Sequence, residues 1–334
     1  MGIIGIRTAT LLLAALAWRS VLVAAAGEAD GVFNVKDYGA RGDGTTDDTK
    51  VMGTITAPPP GAWSGQKYWM MFYQVQGLTV TGGSTGLLDG RGRSWWWSDQ
   101  CNRYGALVVM NCTDVELSKF SSKNSSQMHI AVSQSSKVHL TQLTTTAPWD
   151  SPNTDGVHID QSEDVRVTRS TMGTSGECVS IGPGSRFVTV DGIVCGPGRA
   201  VSVGSLGKKG ATESVEYIDV KNVHFINTLS GARIKTWQGG KGYARSISFT
   251  NINFTNVDNP VGAVAVSNIT YTNLKGTSRY RTAVEFVCSE SRSCTNIHVN
   301  SVAITFPYGE ALALCQNAQG DTSGYVYPKI PCLR

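Results

Sequence analysis

Apolar residues along this chain return again and again in one short phase. Hexapeptides beginning at Val115, Val138, Val165, Val188, Ile218, Ile247, Ile269 and Ile297 hold apolar residues at their first, third and sixth positions, except that Ser170 stands sixth in the Val165 copy. They recur about every 22 to 30 residues. Alternation with period two marks strands that bury one face. Between them runs a second series of β-type triplets: His129-Ile130-Ala131, Val157-His158-Ile159, Val179-Ser180-Ile181 and Val201-Ser202-Val203. Two or three short strands per repeat, separated by Gly, Asn and Ser turns, predict an all-β chain wound as a single-stranded right-handed parallel β-helix. One coil cannot cover its own apolar face, so coils must stack. A β-sandwich is the competing all-β arrangement, but its hairpins come every 8 to 12 residues and give no single recurring phase over such a length.

Stacking brings distant residues together. Asp155, Glu177 and Arg199 lie 22 residues apart in turn, as do Ile159, Ile181 and Val203. Ionisable side chains from three successive coils, about 4.8 Å apart, are therefore expected in a column on one face. Arg233 and Lys235 flank Ile234 on the next coil and face away from it.

The N-terminus changes the picture of the mature chain. Arg7 precedes an apolar stretch to Trp18, Arg19 interrupts it, and a second stretch ends in Ala24-Ala25-Ala26. This predicts a secretory signal peptide over 1–26 and one β-helix domain over 27–334. The stretch is shorter than the roughly 18 apolar residues of a span, so no membrane anchor is expected. A composition of 41% hydrophobic and 16% charged residues suits a folded extracellular protein. The formal charge of +4 favours a polyanionic partner, and with no Lys/Arg-rich run nucleic acid is not expected. Sequons at Asn111, Asn124, Asn253 and Asn268 are candidate glycan sites. The eight cysteines suggest disulfides, with Cys178/Cys195, Cys288/Cys294 and Cys315/Cys332 as the natural pairs, while Cys101 and Cys112 stay unassigned. No Cys/His cluster argues for metal, and no cofactor is expected.

Four segments carry a family resemblance. Ser151-Pro-Asn-Thr-Asp-Gly-Val-His-Ile159 is similar to the Asn-Thr-Asp motif of plant polygalacturonases of glycoside hydrolase family 28, and Gly173-Thr-Ser-Gly-Glu-Cys-Val-Ser-Ile181 resembles their Gly-Thr-Gly-Asp-Asp-Cys motif. Cys195–Gly207 matches the segment centred on Gly-His-Gly, and Ala232-Arg-Ile-Lys235 matches Arg-Ile-Lys. Phe33–Lys50 and Lys275–Arg279 extend the match. The resemblance implies a pectin lyase-like solenoid, secreted to the cell wall, monomeric, that hydrolyses α-1,4 bonds of galacturonic acid in pectin with inversion. One carboxylic acid protonates the leaving oxygen while others activate water. An Arg and a Lys hold the substrate carboxylate.

Carried over residue by residue, the motif set is incomplete. Asp155, Arg233 and Lys235 match, and Asn153 and Arg199 join them as candidate substrate contacts. The family's acid is replaced by Gly176, the second Asp by Glu177, and the histidine by Arg199. Arginine cannot release a proton, and beside Glu177 it is expected to pair with that carboxylate and hold it ionised. Restoring Asp at 176 and His at 199 is the change expected to raise activity. Two family segments are also absent, one after Lys50 and one after Val261.

Each residue has a plainer reading. Asp155 after Asn153-Thr154 suits an Asx turn. The five histidines read as outward-facing structural residues, and Trp95-Trp96-Trp97 as coil packing rather than a sugar platform. Three functions fit: an impaired polygalacturonase, a non-catalytic pectin binder, or the product of a truncated gene model.

Overall fold

A computed structural model describes residues 53–62, 68–97, 105–263, 266–288 and 293–333. The proposed leader, the Phe33–Lys50 match and Cys101 lie outside these residues.

The repeating apolar phase is the register of the solenoid. Val115 pairs with Val138, Val138 with Val165, Val165 with Val188, Val188 with Ile218, Ile218 with Ile247, Ile247 with Ile269 and Ile269 with Ile297, all in parallel. Every one of these residues is buried, so each coil lays its branched side chain on the one below. Ser170, the exception, is buried too. Its hydroxyl accepts from Leu143 N–H at 3.0 Å and donates to Thr168 O at 2.8 Å, and so satisfies itself inside an apolar column.

The second series forms a ten-stranded parallel sheet. Its members are Met70–Tyr73, Leu107–Met110, Ile130–Ser133, Val157–Asp160, Val179–Ile181, Val201–Leu206, Ser230–Thr236, Asn259–Ala263, Thr282–Val287 and Leu312–Gln316, in that spatial order. Strands that follow chain order while running parallel require a crossover at every step, and such crossovers are right-handed. The chain is thus a right-handed parallel β-helix, as its pattern predicts.

The three anticipated disulfides are present, with Cα separations of 5.8 Å for Cys178–Cys195, 5.7 Å for Cys288–Cys294 and 5.9 Å for Cys315–Cys332. Cys112 is a buried free thiol. The tryptophan run divides: Trp96 is in the interior, where its indole N–H donates to Ser125 O, while Trp97 is exposed.

One expectation is overturned. His129 faces inward and is fully buried, with Nδ1 2.8 Å from Ser122 Oγ. It stands just before the strand Ile130–Ser133, where the in-and-out alternation has not yet begun.

Candidate active site

Asp155, Glu177 and Arg199 each sit two residues before a strand of the ten-stranded sheet, on three successive rungs. The register fixes this: Val157 pairs with Val179 and Val179 with Val201. On the following rung Val201 pairs with Ala232 and Val203 with Ile234, which puts Arg233 and Lys235 outward around a buried Ile234. Asn153 lies exposed in the preceding turn with φ of 50°, a left-handed conformation that Asn tolerates.

Asp155 is not an Asx-turn residue. Its carboxylate reaches across to the next rung, where Oδ1 accepts the Glu177 N–H at 3.0 Å and Oδ2 accepts the Ser180 hydroxyl at 2.8 Å. Burial pushes its proton affinity up. The two hydrogen bonds oppose that rise, the Glu177 carboxylate adds to it, and His158 works against it.

Glu177 repeats the arrangement one rung on. Its Oε2 accepts from Ser202 Oγ at 2.9 Å, and its Oε1 lies 2.8 Å from Lys235 Nζ. The pair is shielded, with side-chain exposures of 7% for Glu177 and 23% for Lys235. The expected Arg199–Glu177 pair is therefore a misassignment, and Lys235 takes that place. Arg199 is exposed, and its Nε donates to Ser175 O at 3.1 Å while its backbone N–H donates to Gly176 O. Neither Arg233 nor Arg199 has an ion pair among the described residues, which leaves both as available cations on this face.

Gly176 is more than an absent acid. A Cβ there would stand 2.3 Å from Asp155 Oδ1 and 2.5 Å from Asp155 N. The turn has closed onto the preceding rung, and that closure lets Glu177 N–H reach Asp155. An aspartate at 176 cannot enter this turn without displacing Asp155.

Sequence reasoning passed over Ser180 and Ser202. The available signal was spacing, since each serine follows its carboxylate by 25 residues, one coil plus the step into the strand.

Asp155, Glu177, Arg199, Arg233 and Lys235 together give one outer face of the parallel β-helix a polar, charged character. Among the described residues no group of His, Cys, Asp and Glu could hold a metal ion. The sequence profile of Glycosyl hydrolases family 28 matches residues 29–324, and the chain belongs to that family. A polygalacturonase of Chamaecyparis obtusa is 32% identical over 377 residues, covering 91% of this chain and 73% of the relative. Polygalacturonase QRT2 of Arabidopsis thaliana is 35% identical over 307 residues, covering 84% and 70%. Among solved structures, an endo-xylogalacturonan hydrolase from Aspergillus tubingensis superposes with a TM-score of 0.70 at 25% identity, covering 81% of this chain and 84% of that one. An exopolygalacturonase from Thermotoga maritima shares the fold, with a TM-score of 0.70 at 15% identity over 82% and 78%.

Proposed function

We propose that this chain is a secreted, extracellular polygalacturonase-type hydrolase that cleaves α-1,4-linked galacturonic acid in pectin by inverting acid/base chemistry, at a reduced rate. It acts as one domain over 27–334 after removal of 1–26, as a monomer and without a cofactor. Asp155 is the proton donor and Glu177 the water-activating carboxylate. Arg233 takes the substrate carboxylate, with Asn153 and Arg199 at the rim of the site, and Lys235 holds Glu177 in place.

The observation that carries this reading is the opposite electrostatic setting of two carboxylates on adjacent rungs. Glu177 is paired with Lys235 at 2.8 Å, whereas Asp155 has no cationic side chain bonded to it among the described residues and burial raises its proton affinity. Environments that push two acids apart divide the acid and base roles. The reduced rate follows from the loss of the family's acid at Gly176, since general acid catalysis is typically worth about 10² to 10⁴-fold.

Gly176 favours a second reading, a pectin binder without turnover, because the packed turn leaves no space for the family's acid. Reducing-end release from polygalacturonate by the purified chain separates the two. Slow release that Asp155→Asn and Glu177→Gln abolish supports the hydrolase; retention on polygalacturonate with no release supports the binder.

A further inference from the structure

Two carboxylate–serine units repeat on the outer face, and they differ in what stands behind the serine. Ser202, which donates to Glu177, shares that carboxylate with Lys235. Ser180, which donates to Asp155, has His158 directly above it in register, with Nδ1 2.8 Å from Ser180 Oγ. Ser180 is buried, so these two partners account for its surroundings.

The hydrogen-bond inventory sets the tautomer. A serine hydroxyl has one proton. With Asp155 ionised, that proton points to Oδ2, so the serine oxygen accepts from His158 and Nδ1 carries the hydrogen. Nε2 then has no partner among the described residues and is not sealed from solvent.

We propose that His158 is a positioning residue for Asp155, acting through Ser180 to orient the carboxyl and to resupply its proton. This rests on the reading of Asp155 as the acid. As the glycosidic C–O bond breaks, its electron pair stays on the leaving oxygen, which takes the Asp155 proton. Water adds its hydroxyl to the anomeric carbon and gives its other proton to Glu177, from which it passes to solvent. His158 then takes a solvent proton on Nε2, and the resulting imidazolium gives its Nδ1 proton to Ser180 as the Ser180 hydroxyl proton passes to the Asp155 carboxylate, which leaves a neutral imidazole with Nε2–H.

Charged groups stand around this relay on the neighbouring rungs. Glu177 faces Asp155 from the next rung, and Asp160 lies on the strand of His158 itself. Arg233 and Lys235 stand further along the sheet, with Lys235 already bound to Glu177. The strand Ile130–Ser133 on the preceding rung has no titratable side chain, and His129 just before it is inside the solenoid and donates its backbone N–H to Asp155 O.

The test is nitrogen NMR of the imidazoles in the intact chain, which has five histidines, together with pH profiles of polygalacturonate hydrolysis. Neutral His158 is expected as Nδ1–H where Asp155 is ionised and as Nε2–H where Asp155 holds its proton, a change that Ser180→Ala should abolish, with folding checked by circular dichroism. Ser180→Ala and His158→Phe should each lower kcat about 10-fold or more with KM little changed, and the double variant should be no slower than the worse single one. His158→Asn keeps a donor toward Ser180 but cannot titrate, so it should recover part of kcat while flattening the pH profile. A parent that hydrolyses while its His158 tautomer stays fixed as Asp155 titrates, or fully multiplicative losses, overturns the relay alone. A parent that shows the tautomer change without turnover overturns the proton-supply step together with the hydrolase reading.

Discussion

Glu177 and Lys235, 58 residues apart in sequence, meet at 2.8 Å between Oε1 and Nζ on the outer face of the solenoid. The contact skips the rung between them, where Ser202 holds the other carboxylate oxygen. Lys235 is thus a structural partner before it is a substrate contact. Removing it leaves Glu177 buried and uncompensated, which typically costs about 3 kcal/mol or more. Lys235→Met is expected to lower urea stability by that order, while Lys235→Met with Glu177→Gln recovers most of it.

Arg233 carries the complementary expectation. Being without an ion pair among the described residues, its replacement by Ala should leave stability within about 0.5 kcal/mol and weaken salt-sensitive retention on polygalacturonate. Unchanged retention would place the uronate contact elsewhere.

Gly176 is predicted to resist substitution. With backbone atoms of Asp155 and Thr154 at 2.5 and 2.7 Å from a Cβ, Gly176→Ala should destabilise by about 1 to 3 kcal/mol, the usual cost of overpacking. Gly176→Asp with Arg199→His, the restoration that the motifs suggest, should fold less stably than the parent and regain little activity. A gain of about 10²-fold or more would show that the turn opens to readmit the family's acid.

His129 sets an acid limit on stability. Burial lowers its pKa from 6.5 to about 3. Below the unfolded value the unfolded chain takes up a proton that the folded chain refuses, so stability is lost as pH falls through the window from 6.5 toward about 3. The slope from this one group is at most about 1.4 kcal/mol per pH unit. His129→Gln should flatten it in urea melts taken across that range.

The register of the solenoid was legible because period-two burial repeats on every coil, so that Val115 through Ile297 announce their own stacking. The column of Asp155, Glu177 and Arg199 followed from the same 22-residue step. What side chains do within that column was not legible. Whether Arg199 or Lys235 reaches Glu177 depends on side-chain reach across rungs, and sequence spacing gives only the rung. Gly176 reads as a deletion of chemistry, whereas its role in letting the turn close depends on backbone distances to Asp155. His129 reads as outward from its strand-like surroundings, but it stands one residue before the strand Ile130–Ser133 and is buried.

The central claim is that Asp155 serves as acid in a site that has lost its family acid. Turnover on polygalacturonate, measured for the parent and for Asp155→Asn, tests it most directly. The parent should run about 10² to 10⁴-fold below an intact family member, and Asp155→Asn, folded and no less stable at neutral pH, should release no reducing ends above background. A parent at full family rate, or an Asp155→Asn variant as active as the parent, would contradict it.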